Sequence, residues 1–139
     1  MIILDTNVIA EAMRGPRADP GVLRWLRSLP QQPVTTVITR AEILAGIALL
    51  PLGSSRDRLR TAAESAFGVL GVCLPLVPEC AGAYADIVAA RRAAGRPIGG
   101  MDALIASVAR VSGAALATRD VADFADLGIE LVDPWAEGR

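Results

Sequence analysis

The sequence contains no histidine and no lysine, and these absences disfavour several kinds of chemistry. Zinc is poorly served without histidine, because the only two cysteines, Cys73 and Cys80, are not spaced as a ligand pair. Phosphatases with an aspartate nucleophile and receiver-like phosphoacceptor domains both use a downstream lysine, so these classes are disfavoured too. The chemistry of this chain must therefore be sought in its carboxylates and arginines.

Long apolar runs, aromatic side chains and cysteines are also scarce. No apolar stretch approaches the roughly 20 residues that span a bilayer, and Asp5 interrupts the apolar N-terminus, so we expect neither a membrane segment nor a signal peptide. Buried free thiols fit the two cysteines better than a disulfide, which indicates a cytoplasmic protein. Only 4% of the residues are aromatic although 53% are hydrophobic. This excess of aliphatic residues indicates a dense core or, as we expect, a face that needs a partner.

The net charge of −1 does not indicate a nucleic-acid-binding protein. All basic residues are arginine, whose forked guanidinium groups suit phosphate. They fall mainly into three clusters, namely Arg14, Arg17, Arg24 and Arg27, then Arg56, Arg58 and Arg60, and then Arg91, Arg92 and Arg96. A solvated helix face is the simpler explanation of each cluster, so charge alone decides nothing about the partner.

Short apolar strands alternate with amphipathic helices along the chain. The pattern predicts strands over residues 1–4, 33–37, 72–76, 114–118 and 129–132. It predicts helices over 8–13, 22–29, 40–50, 54–70, 78–94, 101–111 and 121–124, with Ser54 or Ser55 capping the fourth. Strands that alternate with helices form a parallel sheet covered on both faces. We therefore predict an α/β fold, a single three-layer α/β/α domain over residues 1–139 with a central, mostly parallel sheet of four to five strands.

Four carboxylates stand at the edges of apolar segments. Asp5 follows the apolar run 1–4 directly, and a carboxylate at the exit of a buried strand is out of place unless it is used. Glu42, Asp102 and Asp120 occupy comparable positions at helix starts or strand ends. In a parallel α/β domain these positions share one edge, which is where ligands bind.

Helix capping offers a purely structural explanation for the first two acids. Asp5 could cap the helix over 8–13, although Asn7 could do so too and would leave Asp5 available for a ligand. Thr39 and Glu42 fit a capping box, with the threonine at the N-cap and the glutamate at the third helical position. Position alone therefore leaves the role of Glu42 open.

The other two acids have similar structural explanations. Asp102 lies in the first turn of its predicted helix, where the helix dipole favours a negative charge. However, the apolar residues after it indicate a largely buried helix, and the preceding Gly99-Gly100 allows a close approach of backbone or ligand. Asp120 follows a strand and could cap the short helix over 121–124, with Asp123 as a supporting carboxylate.

Together the four acids predict a metal site. Clustered carboxylates repel one another unless they are protonated or bound to cations. An all-oxygen set of ligands suits Mg²⁺ or Mn²⁺, and such sites commonly act on phosphate esters.

The motifs that carry these acids resemble those of PIN-domain ribonucleases, specifically the VapC type of bacterial toxin. They occur in that family's order and at roughly its spacing over essentially the whole chain. The closing Asp133-Pro134-Trp135 is similar to the FitB-like subgroup. The motifs are Ile3-Leu4-Asp5-Thr6-Asn7, Thr39-Arg40-Ala41-Glu42, Met101-Asp102-Ala103-Leu104-Ile105-Ala106 and Ala117-Thr118-Arg119-Asp120, with Asp123-Phe124 after the last.

The resemblance implies a PIN-like fold and a site for each motif residue. Many relatives carry Asn where this chain has Asp120, so Asp123 is the alternative fourth ligand. The implied catalytic and metal-binding residues are Asp5, Glu42, Asp102 and Asp120, supported by Thr6, Asn7, Thr118 and Asp123.

The resemblance also implies an activity and partners. The activity is metal-dependent hydrolysis of RNA phosphodiester bonds with Mg²⁺, or alternatively Mn²⁺. The partners are the RNA substrate, a VapB-like antitoxin that neutralises the enzyme, and a second copy in a homodimer. The complex with the antitoxin is a heterotetramer or larger, and it reaches promoter DNA only through the antitoxin. We expect the apolar helices over 41–50 and 54–70 to form the antitoxin groove.

The sequence leaves two other functions open. A PIN-like fold that has lost catalysis could serve only as a binding module, although the presence of all four acids argues against this. Another magnesium-dependent phosphoryl hydrolase is the enzymatic alternative. The aspartate-nucleophile class needs a second Asp two residues after the first, where this chain has Asn7.

Overall fold

The computed structural model describes residues 1–138, so the last residue of the predicted domain lies outside it. The strands are β1 (Ile2–Leu4), β2 (Thr35–Thr36), β3 (Cys73–Leu74), β4 (Ala115–Ala117) and β5 (Leu131–Val132). The helices are α1 (Thr6–Ala12), α2 (Pro20–Ser28), α3 (Val37–Ala48), α4 (Ser54–Gly68), α5 (Glu79–Ala93), α6 (Gly100–Ser112) and α7 (Pro134–Glu137). Two short 3₁₀ turns, Gly15–Arg17 and Val121–Phe124, complete the list. The alternation predicted from the sequence is confirmed.

All strand pairings are parallel. The strands β1, β4 and β5 form one sheet with β4 in the middle, and β2 pairs with β3. A bridge between Ile3 and Val34 joins the two groups beside β1, with the Leu4 N–H donating to the Val34 carbonyl at 3.0 Å. The resulting order β3-β2-β1-β4-β5 changes direction between β1 and β4. Ligands of open α/β sheets bind at such a switch point, outside the carboxyl ends of the strands.

Adjacent residues of each central strand point to opposite faces of the sheet, as the pleat requires. Ile3 and Leu116 belong to a cluster that packs under α5 and α6. Leu4 and Ala117 belong to a second cluster, which packs under α1, α2 and α7. The predicted three-layer α/β/α architecture is therefore confirmed. Among residues 1–138 no helix is both long and apolar enough to cross a membrane, and both cysteines are free thiols.

The start of α3 differs from the prediction. The helix begins at Val37, which had been assigned to a strand, rather than near residue 40. The reason is the cap: Thr36 Oγ1 accepts the Thr39 N–H at 3.0 Å, so Thr36 is the N-cap residue. The capping box of Thr39 and Glu42 is wrong, because Glu42 lies in the second turn of the helix.

Two further predictions about helices were also wrong. The N-cap of α4 is Gly53 rather than Ser54 or Ser55, and its φ of 149° is a conformation that glycine tolerates. The helix α7 was not predicted at all. It begins at Pro134, a favourable first helical residue, and the Asp133 side chain caps it by accepting the Trp135 N–H at 3.0 Å.

Candidate acidic active site

Asp5 follows β1 directly and is also the N-cap residue of α1. Its Oδ1 accepts the Thr6 N–H at 2.9 Å, and its Oδ2 accepts the Thr118 hydroxyl at 2.8 Å. Its own N–H donates to the carbonyl of Ala117 on the neighbouring strand β4 at 2.9 Å. Only 5% of the residue is exposed. The same carboxylate therefore caps α1 and is held in a fixed position at the switch point.

Thr118 connects the ends of β1 and β4. The residue is fully buried, and its Oγ1 donates to Asp5 while it accepts the Asp120 N–H at 3.0 Å. The Asn7 amide also approaches this oxygen, at 3.3 Å. One hydroxyl thus orients the carboxylate at the first strand exit and the backbone at the second.

Asn7 ties the start of α1 to the segment after β4. Its Nδ2 donates to Asp120 Oδ2 at 3.1 Å, and its Oδ1 accepts the Arg119 N–H at 3.2 Å. Asp120 makes no side-chain cap bond to the 3₁₀ turn that follows it. The helix-cap explanation of Asp120 therefore does not hold, and its side chain faces Asn7 instead.

Glu42 approaches the site from α3. Its Oε1 accepts the Thr6 hydroxyl at 2.9 Å, so Thr6 links Glu42 to the residue that follows Asp5. Because Thr36 caps α3, Glu42 has no capping role. The alternative that the sequence left open for Glu42 is thereby removed.

Asp102 lies in the first turn of α6, immediately after the Gly99-Gly100 segment. Its pKa is raised to about 6, mainly by burial and then by the negative charges of Asp5, Glu42, Asp123 and Asp120, in that order of importance. This mutual influence brings all five carboxylates into one electrostatic neighbourhood.

The pKa of Asp5 is also raised. Burial is the main cause, and it outweighs the hydrogen bonds from Thr118 and Thr6, which lower the pKa. The charges of Glu42 and Asp120 add to the increase. A carboxylate that is buried among other carboxylates favours the neutral form or a bound cation.

No arginine neutralises this cluster within residues 1–138. The two ion pairs there join Arg14 to Glu11 and Arg96 to Asp126, away from the four acids. The donor set, consisting only of oxygens with uncompensated negative charge, fits a hard divalent cation. No three acidic or thiol side chains of the described chain are already arranged to hold one ion, so binding would require the carboxylates to draw together.

An apolar groove lies along α1, from Leu4 before the helix to Gly15 after it. It consists of two adjoining cavities of about 490 and 590 Å³ between α1, α2 and α4, which share Met13 and Ala62. The cavity of about 490 Å³, called the inner cavity, has a largely aliphatic lining. The cavity of about 590 Å³, called the outer cavity, is lined in part by Arg17 and Arg58. The helix α4 lines the groove, as expected from the sequence. The second wall, however, is α1 and α2, and no residue of 41–50 lines either cavity.

The roles of two arginines near the acidic site were not predicted from the sequence, and the solvated helix face expected for the cluster of Arg91, Arg92 and Arg96 is wrong for the buried Arg91. Arg119 lies over the ring of Trp135, with its guanidinium carbon 5.0 Å from the ring centroid. Arg91 is buried and donates to the carbonyl of Asp123 at 2.6 Å, which fixes the 3₁₀ turn that carries this carboxylate. The position of Arg119 between Thr118 and Asp120 was the only available signal.

Comparison with known proteins gives matches along nearly the full chain. The PIN domain family matches residues 2–130. The chain is 39% identical to plasmid stability protein StbB of Pseudomonas syringae pv. tomato, covering 97% of this chain and 99% of that protein. It is 33% identical to VapC ribonuclease Y4jK of Sinorhizobium fredii, covering 97% and 98% of the two chains.

A third relative also has a similar solved structure. Toxin FitB of Neisseria gonorrhoeae is 36% identical to this chain, over 97% of this chain and 99% of that protein. The crystal structure of FitAcB from the same organism has a TM-score of 0.86 at 34% identity and covers 97% of this chain and 99% of that one. The FitAcB structure has the same α/β fold as this chain, and the family match extends over all four acidic motifs. The chain belongs to the PIN-domain family.

Proposed function

We propose that this protein is a metal-dependent endoribonuclease and the toxin of a VapBC-type toxin–antitoxin pair. The observation that carries the proposal is the group of four carboxylates, Asp5, Glu42, Asp102 and Asp120, which lie at the switch point of the sheet and form no ion pair with an arginine of residues 1–138. The names of two relatives, a VapC ribonuclease and toxin FitB, support the same reaction and role. The family match supports one PIN domain over residues 1–139.

Each residue of the acidic site has a role in this proposal. Asp5 and Asp102 hold the cation, with help from Glu42 and Asp120, and Asp123 is the alternative to Asp120. When bound, Mg²⁺ or Mn²⁺ supplies Lewis-acid stabilisation of the phosphate and lowers the pKa of a water. Thr118, Thr6 and Asn7 fix the carboxylates through the hydrogen bonds described above, so that the ligands are oriented before the cation arrives.

The site itself does not attract RNA. Four negative side chains repel a phosphate backbone, so affinity must come from the bound cations and from arginines around the site, and binding should weaken with salt. Loops and single strands of RNA are the expected substrates, because their bases and backbone are accessible.

The groove is the proposed site of the antitoxin. Its aliphatic lining suits an apolar segment of the antitoxin, and Arg17 and Arg58 at the outer cavity suit acidic side chains beside it. The helix α1 has seven residues and is therefore only about 10 Å long, so a segment in the groove can also reach the acidic site. We further propose a homodimer, a heterotetramer or larger complex with the antitoxin, contact with promoter DNA only through the antitoxin, and a cytoplasmic location.

The test is cleavage of a mixed set of structured RNAs by purified, antitoxin-free protein. Reactions contain Mg²⁺, Mn²⁺ or EDTA, and calorimetry measures binding of each metal separately. We expect cleavage that needs a divalent cation and falls by at least about 100-fold in Asp5→Asn and Asp102→Asn. Asp86→Asn makes the same chemical change at an exposed position on α5 and should cleave like the wild type.

Thermal unfolding confirms that each variant is folded before its activity is compared. Cleavage that persists in EDTA, or that survives in both site variants, would contradict the proposed mechanism. If no RNA is cut and no metal binds, the protein is instead a binding module on a PIN fold. The observation in favour of this second candidate is that no three carboxylates of the described residues are already close enough together to hold one ion.

A further inference from the structure

Arg119 is a cation at the rim of the acidic site. It lies between Thr118 and Asp120, and its backbone N–H donates to Asn7 Oδ1 at 3.2 Å. Its side chain is exposed and stacks on Trp135, which is 7% exposed and belongs to the apolar cluster under α7. Both the backbone and the guanidinium group of Arg119 are therefore held in place.

The charge of Arg119 is not used to neutralise the acids beside it. Within residues 1–138 the side chain forms no ion pair, although Asp120 is its neighbour in the chain. Stacking on Trp135 holds the cation by attraction to the aromatic face. A stacked guanidinium still has its N–H groups free at its edge, in the plane where it binds phosphate oxygens.

We propose that Arg119 binds an RNA phosphate next to the one that is cleaved. This inference rests on the proposed ribonuclease function, since it assigns part of the substrate contact of that site. The acidic site repels the RNA backbone, so a fixed cation at its rim supplies local attraction without occupying the metal ligands. Trp135 is a positioning residue, because it holds the guanidinium in place.

A structural role for Arg119 would be to fasten α7 to the sheet through Trp135. Two substitutions separate this role from phosphate binding. Arg119→Gln keeps much of the side chain but removes the charge, whereas Arg119→Lys keeps the charge and loses the planar fork. Arg60→Gln removes the same charge from an exposed position on α4 and serves as the matched control.

The measurement is binding of a short single-stranded RNA by fluorescence anisotropy over a range of salt concentrations, together with kcat and KM for cleavage. We expect Arg119→Gln to raise Kd and KM roughly tenfold at low salt with little change in kcat. The slope of log Kd against log salt should decrease in magnitude by about 0.7, the value for one contact to single-stranded nucleic acid. Arg119→Lys should recover the slope and part of the affinity, and Trp135→Leu should weaken binding with the slope retained.

An unchanged salt slope in Arg119→Gln would overturn the inference, as would equal losses of thermal stability in the Gln and Lys variants without a change in Kd. The binding assay does not depend on cleavage. A wild-type protein that binds RNA through Arg119 but cuts nothing would therefore contradict the proposed nuclease and support the contact. A protein that cuts RNA with the same Kd and KM in all variants would contradict only the contact.

Discussion

The acidic site and the groove both border α1 and differ in what each of them needs. At the acidic site, Asp5 and its neighbours are joined by hydrogen bonds, yet no arginine of residues 1–138 forms an ion pair with them. In the groove, Ile9 and Met13 line a space that side chains do not fill. The first region needs positive charge, and the second needs apolar volume.

This difference shows how one helix can serve two separate partners. A polar network in a partly buried site gains orientation from each hydrogen bond, and the repulsion that remains is relieved by an ion. An apolar cavity gains nothing from ions and is stabilised by a chain that fills it. Changes confined to one region should therefore leave the other region intact.

Among the changes that compare the two regions, the largest effect is expected from Thr118→Val. The substitution keeps the volume but removes the hydroxyl that donates to Asp5 and accepts the Asp120 N–H. Cleavage should fall by about 10- to 100-fold, because the carboxylate is no longer oriented. The free energy of unfolding should fall by about 1–3 kcal/mol, because buried polar groups lose their partner. Steady-state cleavage and urea unfolding measure the two effects.

Thr118→Ser is the matched control for this prediction, since it retains the hydroxyl and should retain most of the activity. Affinity for the antitoxin should be unchanged in Thr118→Val, because the residue lines neither cavity of the groove. A parallel loss of antitoxin affinity would show that the two regions are coupled.

Much of this arrangement could be predicted from the sequence because it depends on local patterns. The apolar run before Asp5 predicts β1, and the alternation of strands and helices places the strand exits at one edge of a parallel sheet. Gly113 after α6 has the left-handed conformation expected of a helix stop, with φ of 68°. The neighbourhood of the four acids follows from topology rather than from any single contact.

The features that could not be predicted depend on choices between similar residues or on distant packing. Thr36 and Thr39 are both good caps, and only the fold shows that Thr36 takes that position. The groove forms because α4 packs opposite α1 and α2, a relation that periodicity does not contain. The stack of Arg119 on Trp135 joins two segments through tertiary structure alone.

A smaller effect, confined to the groove, is expected from Leu59→Asp. The side chain lines the outer cavity and is 40% exposed, so an antitoxin segment there should lose at least about tenfold in affinity. Leu49→Asp is the matched control: Leu49 is 86% exposed and lines neither cavity, so affinity should not change. Both residues belong to the helices that the sequence assigned to the groove, and the structure places only Leu59 in it.

Isothermal titration with the antitoxin measures the two affinities, and RNA cleavage by the free variants tests independence from the acidic site. Equal losses for Leu49→Asp and Leu59→Asp would show that the groove is not the docking site. A loss of cleavage in Leu59→Asp would contradict the separation of the two regions.

The smallest effect concerns the pH dependence of stability in metal-free protein. The folded pKa of Asp102 is about 6, against a reference value of 3.8, so between these values the folded state binds a proton that the unfolded state does not. Its contribution to stability is therefore complete below the reference value and is lost as the pH rises through the folded pKa.

In EDTA, Tm should rise by a few degrees as the pH falls from about 7 to about 5, and less in Asp102→Asn. Because Asp86→Asn leaves the carboxylates of the acidic site unchanged, it should show the same rise as the wild type, and scanning calorimetry of the three proteins makes the comparison. Equal pH profiles for the wild type and Asp102→Asn would mean that burial and the neighbouring charges do not raise the pKa of Asp102, and a bound cation would then have little repulsion to relieve.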